Sequence, residues 1–290
     1  MEVSLAVVDN GTVVSTTGIN APVPWWSFTK TVIAAGALAL VRDGRLNLDA
    51  TLPERAFSLR QLLQHRAGVA NYGDLAAYRE AVARGDDPWP PSVLLERTEA
   101  DRLRFEPGKG WSYSNIGYMF VRQLIEATCD EPIGAALARL VLRPLGIKGA
   151  RVAVIADDLS GVFMGHAQTY HPGWVYHGLM VGPVDQAALL LARLLTGQLL
   201  PTHLLAQMQM APALGFPVPQ PWDSPVYGLG VMAGTSARGR LIVGHTGAGP
   251  GSAIAVYHSG NGMQSITAAA FGAGVDPSVA ETAAFAAVGG

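Results

Sequence analysis

Ser27-Phe28-Thr29-Lys30-Thr31-Val32-Ile33-Ala34-Ala35-Gly36-Ala37-Leu38-Ala39-Leu40-Val41 is the stretch on which the reading of this chain turns. Its length and its wealth of Ala and Leu predict a helix over about 27–41, with Ser27 as the N-cap residue. Apolar side chains cover nearly its whole circumference, so the helix is expected to be buried on all sides. A purely structural lysine is out of place at the start of such a helix. The chain has three lysines, Lys30, Lys109 and Lys148, and only Lys30 has a serine three positions before it. At a helix start that spacing stacks both side chains on one face. A serine hydroxyl is a weak nucleophile until a neighbour takes its proton, and a lysine whose pKa is lowered by desolvation is such a neighbour. The N–H groups of the helix start add donors for a developing oxyanion.

The rest of the 290 residues supplies a large core for this helix. About 49% of the chain is apolar and only 14% is charged, against roughly a quarter charged in average soluble chains. Twenty basic and 22 acidic side chains leave a formal charge of −2, so there is no basic stripe for nucleic acid. The longest apolar run, 31–41, is about half the length that spans a bilayer, and no membrane role is expected. Cys129 is the single cysteine, which excludes an internal disulfide; it is expected to be a small buried hydrophobe. The N-terminal residues lack a basic region and a long enough apolar run for a signal peptide, so the expected location is cytoplasmic.

The N-terminus reads as a strand, a turn at Asp9-Asn10-Gly11 and a second strand through Val13 and Val14. Helices are predicted at 59–65, 73–84, 91–98, 115–129, 132–142, 184–196 and 201–210, with loops and a short strand over 150–182. From 226 the texture turns to short β-rich runs at 227–233, 240–244, 253–258 and 264–271, separated by turns such as Ser259-Gly260-Asn261-Gly262, before a final Ala-rich helix over 277–288. Strands at both ends and helices between predict an α/β (α+β) fold. In it an antiparallel sheet built from both termini (1–50 and 220–290) carries an inserted, mostly helical domain (51–219), with a site between them.

Two further constellations can carry chemistry. Tyr113-Ser114-Asn115 lies in a loop before a helix: Tyr113 can pass protons and Asn115 can hydrogen-bond a substrate amide, though an aromatic core residue and an Asx N-cap would look the same. Gly244-His245-Thr246-Gly247-Ala248 ends a strand, where glycines let a substrate lie along the edge and a backbone N–H can complete an oxyanion hole. In chain order, S-x-x-K, Y-x-N and H-T-G resemble the serine hydrolases that include class C β-lactamases, D,D-peptidases (penicillin-binding proteins) and related esterases. Ser58-Leu-Arg-Gln-Leu-Leu-Gln-His-Arg-Ala-Gly-Val, Phe105-Glu-Pro-Gly, Gly178-Leu179 with Asp185 and Leu189, and Tyr227-Gly-Leu-Gly are similar to further segments of that family.

The resemblance implies Ser27 as nucleophile, Lys30 as its activating partner and Tyr113 as the proton relay, with either Lys30 or Tyr113 as the formal base. Asn115, His245 and Thr246 would orient substrate, the N–H groups of Ser27 and Ala248 would bind the oxyanion beside Gly247, and Asn71 and Tyr72 complete the candidate binding residues. Trp25, Trp26, Tyr72, Trp174 and Trp222 are candidates for an aromatic substrate wall, with core packing the plainer reading for any one of them. Position 245 is histidine where typical β-lactamases carry lysine, which looks more like the peptidase and esterase branches, and short loops imply an open pocket. His166, His171 and His177 fit no standard helix-borne metal site; one or two of them are expected to line the pocket as loop histidines, and neither metal nor cofactor is expected. The function expected is a serine hydrolase acting through an acyl-enzyme on small esters or amides. The competing readings are a D,D-peptidase or penicillin-binding protein with weak β-lactamase activity, and a catalytically silent binding or scaffold relative.

Overall fold

The computed structural model describes residues 3–289 except 168, 215, 217–221, 237, 262, 263 and 275. The expected domain boundary at 219/220 and the last residue of the turn at 259–262 lie outside the described residues. The opening hairpin forms as β1 (Val3–Asp9) and β2 (Thr12–Thr17), and β1 alternates buried and half-buried residues as a sheet strand with two different faces should. The β-rich tail supplies β6 (Asp223–Tyr227), β7 (Met232–Thr235), β8 (Leu241–Gly249), β9 (Ser252–Gly260) and β10 (Ser265–Ala273). Together they make an antiparallel seven-stranded sheet in the order β2-β1-β10-β9-β8-β7-β6, so the two chain ends meet where β1 pairs with β10. The run expected as one strand over 227–233 is instead two. Gly230, at a φ of +77°, turns the chain, and Gly228 N–H closes that turn on Val231 C=O at 2.8 Å.

Each face of the sheet has its own cover. One face presents Ala253, Ala255, Tyr257, Ala268 and Ala270, small enough for the Ala-rich helix Pro277–Ala287 to lie close through Ala280, Ala284 and Phe285. The other face presents Val243, Ile254, Val256 and Phe271 to the main core, which includes the helices Thr29–Arg42 (α1) and Val184–Leu195. The helix at 184–195 falls within the stretch expected as a helical insertion, yet it packs on β1, β9 and β10.

Around α1 stand α2 (Leu59–Leu63), α3 (Ala76–Arg84), α4 (Pro91–Arg97), α5 (Asn115–Cys129) and α6 (Ile133–Leu137). The helix expected over 132–142 changes character after Leu137 and continues as a π-helical turn through Leu142. A small sheet joins Val23–Pro24 (β3), Arg151–Ala153 (β4) and Leu179–Gly182 (β5) in the order β3-β5-β4. Helix α1 is buried from Thr29 to Leu40, as its apolar circumference requires. Its polar first turn is tied down: Thr29 Oγ1 accepts from Met180 N–H at 3.1 Å and Thr31 Oγ1 donates to Gly230 C=O at 2.7 Å. Cys129 is half-buried against the core rather than fully buried, because it sits in the last turn of α5. Among the described residues no helix is long and apolar enough to cross a membrane.

Candidate active site

Ser27 sits not at the N-cap of α1 but one step earlier, inside a 3₁₀ turn over Trp26–Phe28. The residue at the α1 N-cap position is Phe28, with no side-chain cap. That frees the Ser27 hydroxyl, which a cap would have turned toward the helix backbone. The turn carries strain, since Trp26 adopts a φ of +40°, a conformation that a bulky residue seldom takes. Trp26 is held there by Nε1–H donating to Ser252 Oγ at 3.1 Å and by an edge-on contact with Tyr170 at 5.3 Å. Gly247 of β8 lies directly against the same turn: a Cβ at that position would come within 2.6 Å of Ser27 N. Among the described residues β7 pairs with β8 only over Leu241–Gly244, so the edge at 245–249 that meets this turn lacks a strand partner there.

Lys30 is completely buried, and its Nζ has three partners: Asn115 Oδ1 at 2.7 Å, His177 Nε2 at 3.1 Å and Ser27 Oγ at 3.2 Å. Burial holds its pKa well below the ordinary lysine value. No carboxylate pairs with it among the described residues, so nothing offsets the desolvation. A neutral amine has two N–H groups and one lone pair. With the lone pair aimed at Ser27, the two N–H groups go to Asn115 and His177, and His177 then keeps its own proton on Nδ1. That Nδ1 is buried and without a partner among the described residues. Burial, with Lys30 close by, pushes the His177 pKa well down, so the ring is neutral beside the amine.

Tyr113 O–H donates to Ser27 Oγ at 2.9 Å, and Lys30 Nζ lies 4.9 Å from the centre of its ring. Burial raises the Tyr113 pKa, the bond to Ser27 opposing the rise. The loop bearing Tyr113 is clamped by His65, which accepts Ser112 N–H on its C=O at 3.0 Å and Ser114 N–H on Nδ1 at 3.0 Å; its ring packs on Tyr113 at 4.3 Å. Ser114, not Asn115, caps α5, accepting Gly117 N–H at 2.9 Å. The Asn115 side chain is therefore free to face Lys30. Its orientation is set from behind by Asn71, whose Oδ1 accepts Asn115 Nδ2–H at 3.0 Å and backbone N–H at 3.2 Å. Asn71 is thus a support for Asn115, a correction to its expected place against substrate.

The H-T-G segment also departs from expectation. His245 is buried, with Nε2 2.7 Å from Tyr227 OH and Nδ1 2.5 Å from the C=O of Thr246. Burial, then Lys30, lowers its pKa to about 3. Both ring nitrogens are engaged, so the imidazole is not presented to a substrate. Strand alternation puts Thr246 on the opposite face, where its Oγ1 meets Tyr257 OH at 2.5 Å and donates to Glu281 Oε1 at 3.2 Å. Gly247 and Ala248 remain at the site through their backbone.

Ser27, Asn115, His177 and Ala248 open onto a cavity of about 640 Å³. Of the expected aromatic wall, Trp26 and Tyr72 line it, joined by Tyr78 and Tyr170. Trp25 and Trp174 are buried in the core, and Trp222 lies across the sheet with Phe285. The three clustered histidines diverge: His166 is exposed, His171 caps a turn through Nδ1, and only His177 reaches Lys30. His177 lines the cavity, as expected of one or two of these histidines, but its contact with Lys30 and the clamp by His65 were missed from sequence; neither has a local pattern that would reveal it.

A match to the Beta-lactamase family spans residues 2–285. Esterase EstB of Burkholderia gladioli is 30% identical over 142 residues, which is 42% of this chain and 36% of the esterase, so the likeness covers little more than a third of that protein. A D-stereospecific amidohydrolase from Streptomyces sp. superposes with a TM-score of 0.80 at 23% identity, over 98% of this chain and 93% of that one. The octameric penicillin-binding protein homologue from Pyrococcus abyssi superposes with a TM-score of 0.79 at 20% identity, over 98% and 72%. At such identities the two solved structures speak for the fold.

Proposed function

The chain belongs to the Beta-lactamase family, and from that premise we propose that it is a serine hydrolase working through an acyl-enzyme on small amides or esters. Ser27 Oγ attacks the carbonyl carbon and its proton passes to the neutral Lys30 Nζ. The oxyanion that forms is held by the N–H groups of Ser27 and Ala248. Collapse breaks the C–N or C–O bond, and Tyr113 gives its proton to the departing amine or alcohol while taking back the one stored on Lys30. Water then attacks the acyl-enzyme, its proton follows the same relay, and the Ser27 hydroxyl is restored. Tyr113 and Lys30 act as one proton store, with Asn115 and Asn71 fixing the amine.

The observation that carries this reading is the seat of Ser27 Oγ, 3.2 Å from a buried amine and 2.9 Å from a tyrosine hydroxyl, on the wall of an open cavity. Intact-mass spectrometry after exposure to a fluorophosphonate, a β-lactam and a p-nitrophenyl ester tests it, followed by peptide mapping. A covalent adduct on Ser27, absent in Ser27→Ala, is the expected result. A label on another serine with Ser27 unmodified ends the proposal.

A further inference from the structure

Beyond the reacting groups, the cavity has a charge character of its own. Its described lining includes the rings of Trp26, Tyr72, Tyr78 and Tyr170, and a single charged side chain, Arg79 of α3. No carboxylate is among the described lining residues. Arg79 is exposed at this wall, and one guanidinium N–H donates to Gly73 C=O at 2.8 Å. A guanidinium has five N–H donors in a planar fork, so most of its donors are left for a ligand. Among the described residues it makes no ion pair. Two acids lie near it in sequence: Asp74 is exposed and accepts from Asn71 Nδ2 at 3.0 Å, and the adjacent Glu80 is exposed and is not among the described lining residues. Of the other titratable lining groups, burial holds His177 toward its neutral form and raises the pKa of Tyr72, Tyr78 and Tyr170, so they too are neutral.

From this we propose that Arg79 selects substrates carrying a carboxylate on a bulky apolar or aromatic body, and that substrates bearing a free ammonium are disfavoured. The inference rests on the hydrolase reading above. The rings take the body, and the guanidinium takes the carboxylate by charge-assisted, two-pronged hydrogen bonding. An ammonium in the same cavity meets a like charge at Arg79 and finds no carboxylate partner among the described lining residues.

The test is a matched set of p-nitrophenyl esters of one aromatic acid, bearing a carboxylate, a carboxamide or an aminomethyl group at the far end. The readout is the ratio of kcat/KM between members of the set within each protein. Wild type should prefer the carboxylate to the ammonium by about 10-fold or more, mostly in KM, the scale of one charged hydrogen bond. Arg79→Gln should bring the ratio near one, and Arg79→Glu should invert it. Arg84→Gln, which removes an exposed charge from the same helix, should leave the wild-type ratio in place. A wild-type ratio near one, or a preference that survives Arg79→Gln or falls equally in Arg84→Gln, overturns the assignment. Turnover of p-nitrophenyl acetate and labelling of Ser27 in the wild type report separately on the hydrolase reading: their failure sinks that reading, whereas their success with no charge preference sinks only this one.

Discussion

His245 and Thr246 are neighbours on one strand, yet they face two polar clusters built on opposite principles. On the His245 side, Lys30, His65, His177 and His245 gather with Tyr113, Tyr118 and Tyr227, and burial drives each of the four nitrogen bases toward its neutral form. On the Thr246 side a carboxylate takes part: Glu281 accepts from Tyr257 OH at 2.5 Å, Trp222 Nε1 at 3.0 Å and Thr246 Oγ1 at 3.2 Å. The second cluster satisfies its charge with three donors and ties the last helix to the sheet. The first leaves an amine without a counter-charge. Such an arrangement costs stability and is useful only where a neutral amine has work to do as a base.

The sharpest break of this contrast is removal of the proposed reacting pair. Ser27→Ala and Lys30→Met should each reduce turnover by about 10³-fold or more with the fold retained, measured by ester hydrolysis and circular dichroism. Lys30→Ala and Tyr113→Phe should be strongly non-additive, because both serve one proton store; strictly additive losses would separate their steps. Stability carries its own signature. A lysine with a depressed folded pKa contributes stability present above its unfolded value of about 10.4 and lost as pH falls through the folded one. Wild-type stability should therefore rise with pH over that window, and Lys30→Met should remove this slope in denaturant titrations.

Placing a carboxylate on the wrong side comes next. His177→Asp would set an anion near Lys30 and favour the ammonium, a shift of roughly 1–3 pKa units for charges this close. The expected result is a loss of about 10- to 100-fold at pH 7 that recovers as pH rises, with the ascending limb of the pH–rate profile moved upward. An unmoved limb would mean that the lysine is not kept neutral by its lack of a counter-charge. His177→Asn, which keeps a polar partner without a charge, should leave the limb nearly in place.

Acid should loosen the first cluster. His65, His177 and His245 have folded pKa values below their unfolded value of about 6.5, that of His245 near 3. The unfolded chain thus binds the extra protons first as pH falls, and stability is lost from about pH 6.5 down through the folded values. Each histidine removes up to about 1.4 kcal/mol per pH unit, and His245→Phe should flatten the slope by about one proton. The smallest effect belongs to the far side of the strand. Glu281→Gln should cost about 1–2 kcal/mol of stability, by weakening its three accepted hydrogen bonds, and change kcat/KM less than about 3-fold.

Much of the site was legible before the fold was known, and the reason differs from residue to residue. Ser27 and Lys30 were readable because three residues at a helix start bring side chains together whatever surrounds them. The burial of α1 followed from its unbroken apolar surface, and the terminal hairpins from β-rich runs separated by glycine turns. The cap was read one residue too early at α1: Ser27 has the chemistry of a cap, but the 3₁₀ turn and the approach of β8 at Gly247 place it elsewhere. In Tyr113-Ser114-Asn115 two residues can cap, and packing against Ala70 and Asn71 decided for Ser114.

By itself, then, the amino-acid sequence determined the helix that carries Lys30, the pairing of Lys30 with Ser27 at its approach, the antiparallel joining of the chain ends and the relay candidate Tyr113. These rest on periodicity and side-chain chemistry that act within a few residues. Only the tertiary structure decided that His177, 147 positions from Lys30, completes the amine's partners. The same holds for Asn71 standing behind Asn115, for His245 turning inward to Tyr227, and for Arg79 as the charge at the cavity wall. Those pairings depend on how strands register and helices stack across long loops. No spacing along the chain encodes them, because the energy that selects them comes from burying many surfaces at once.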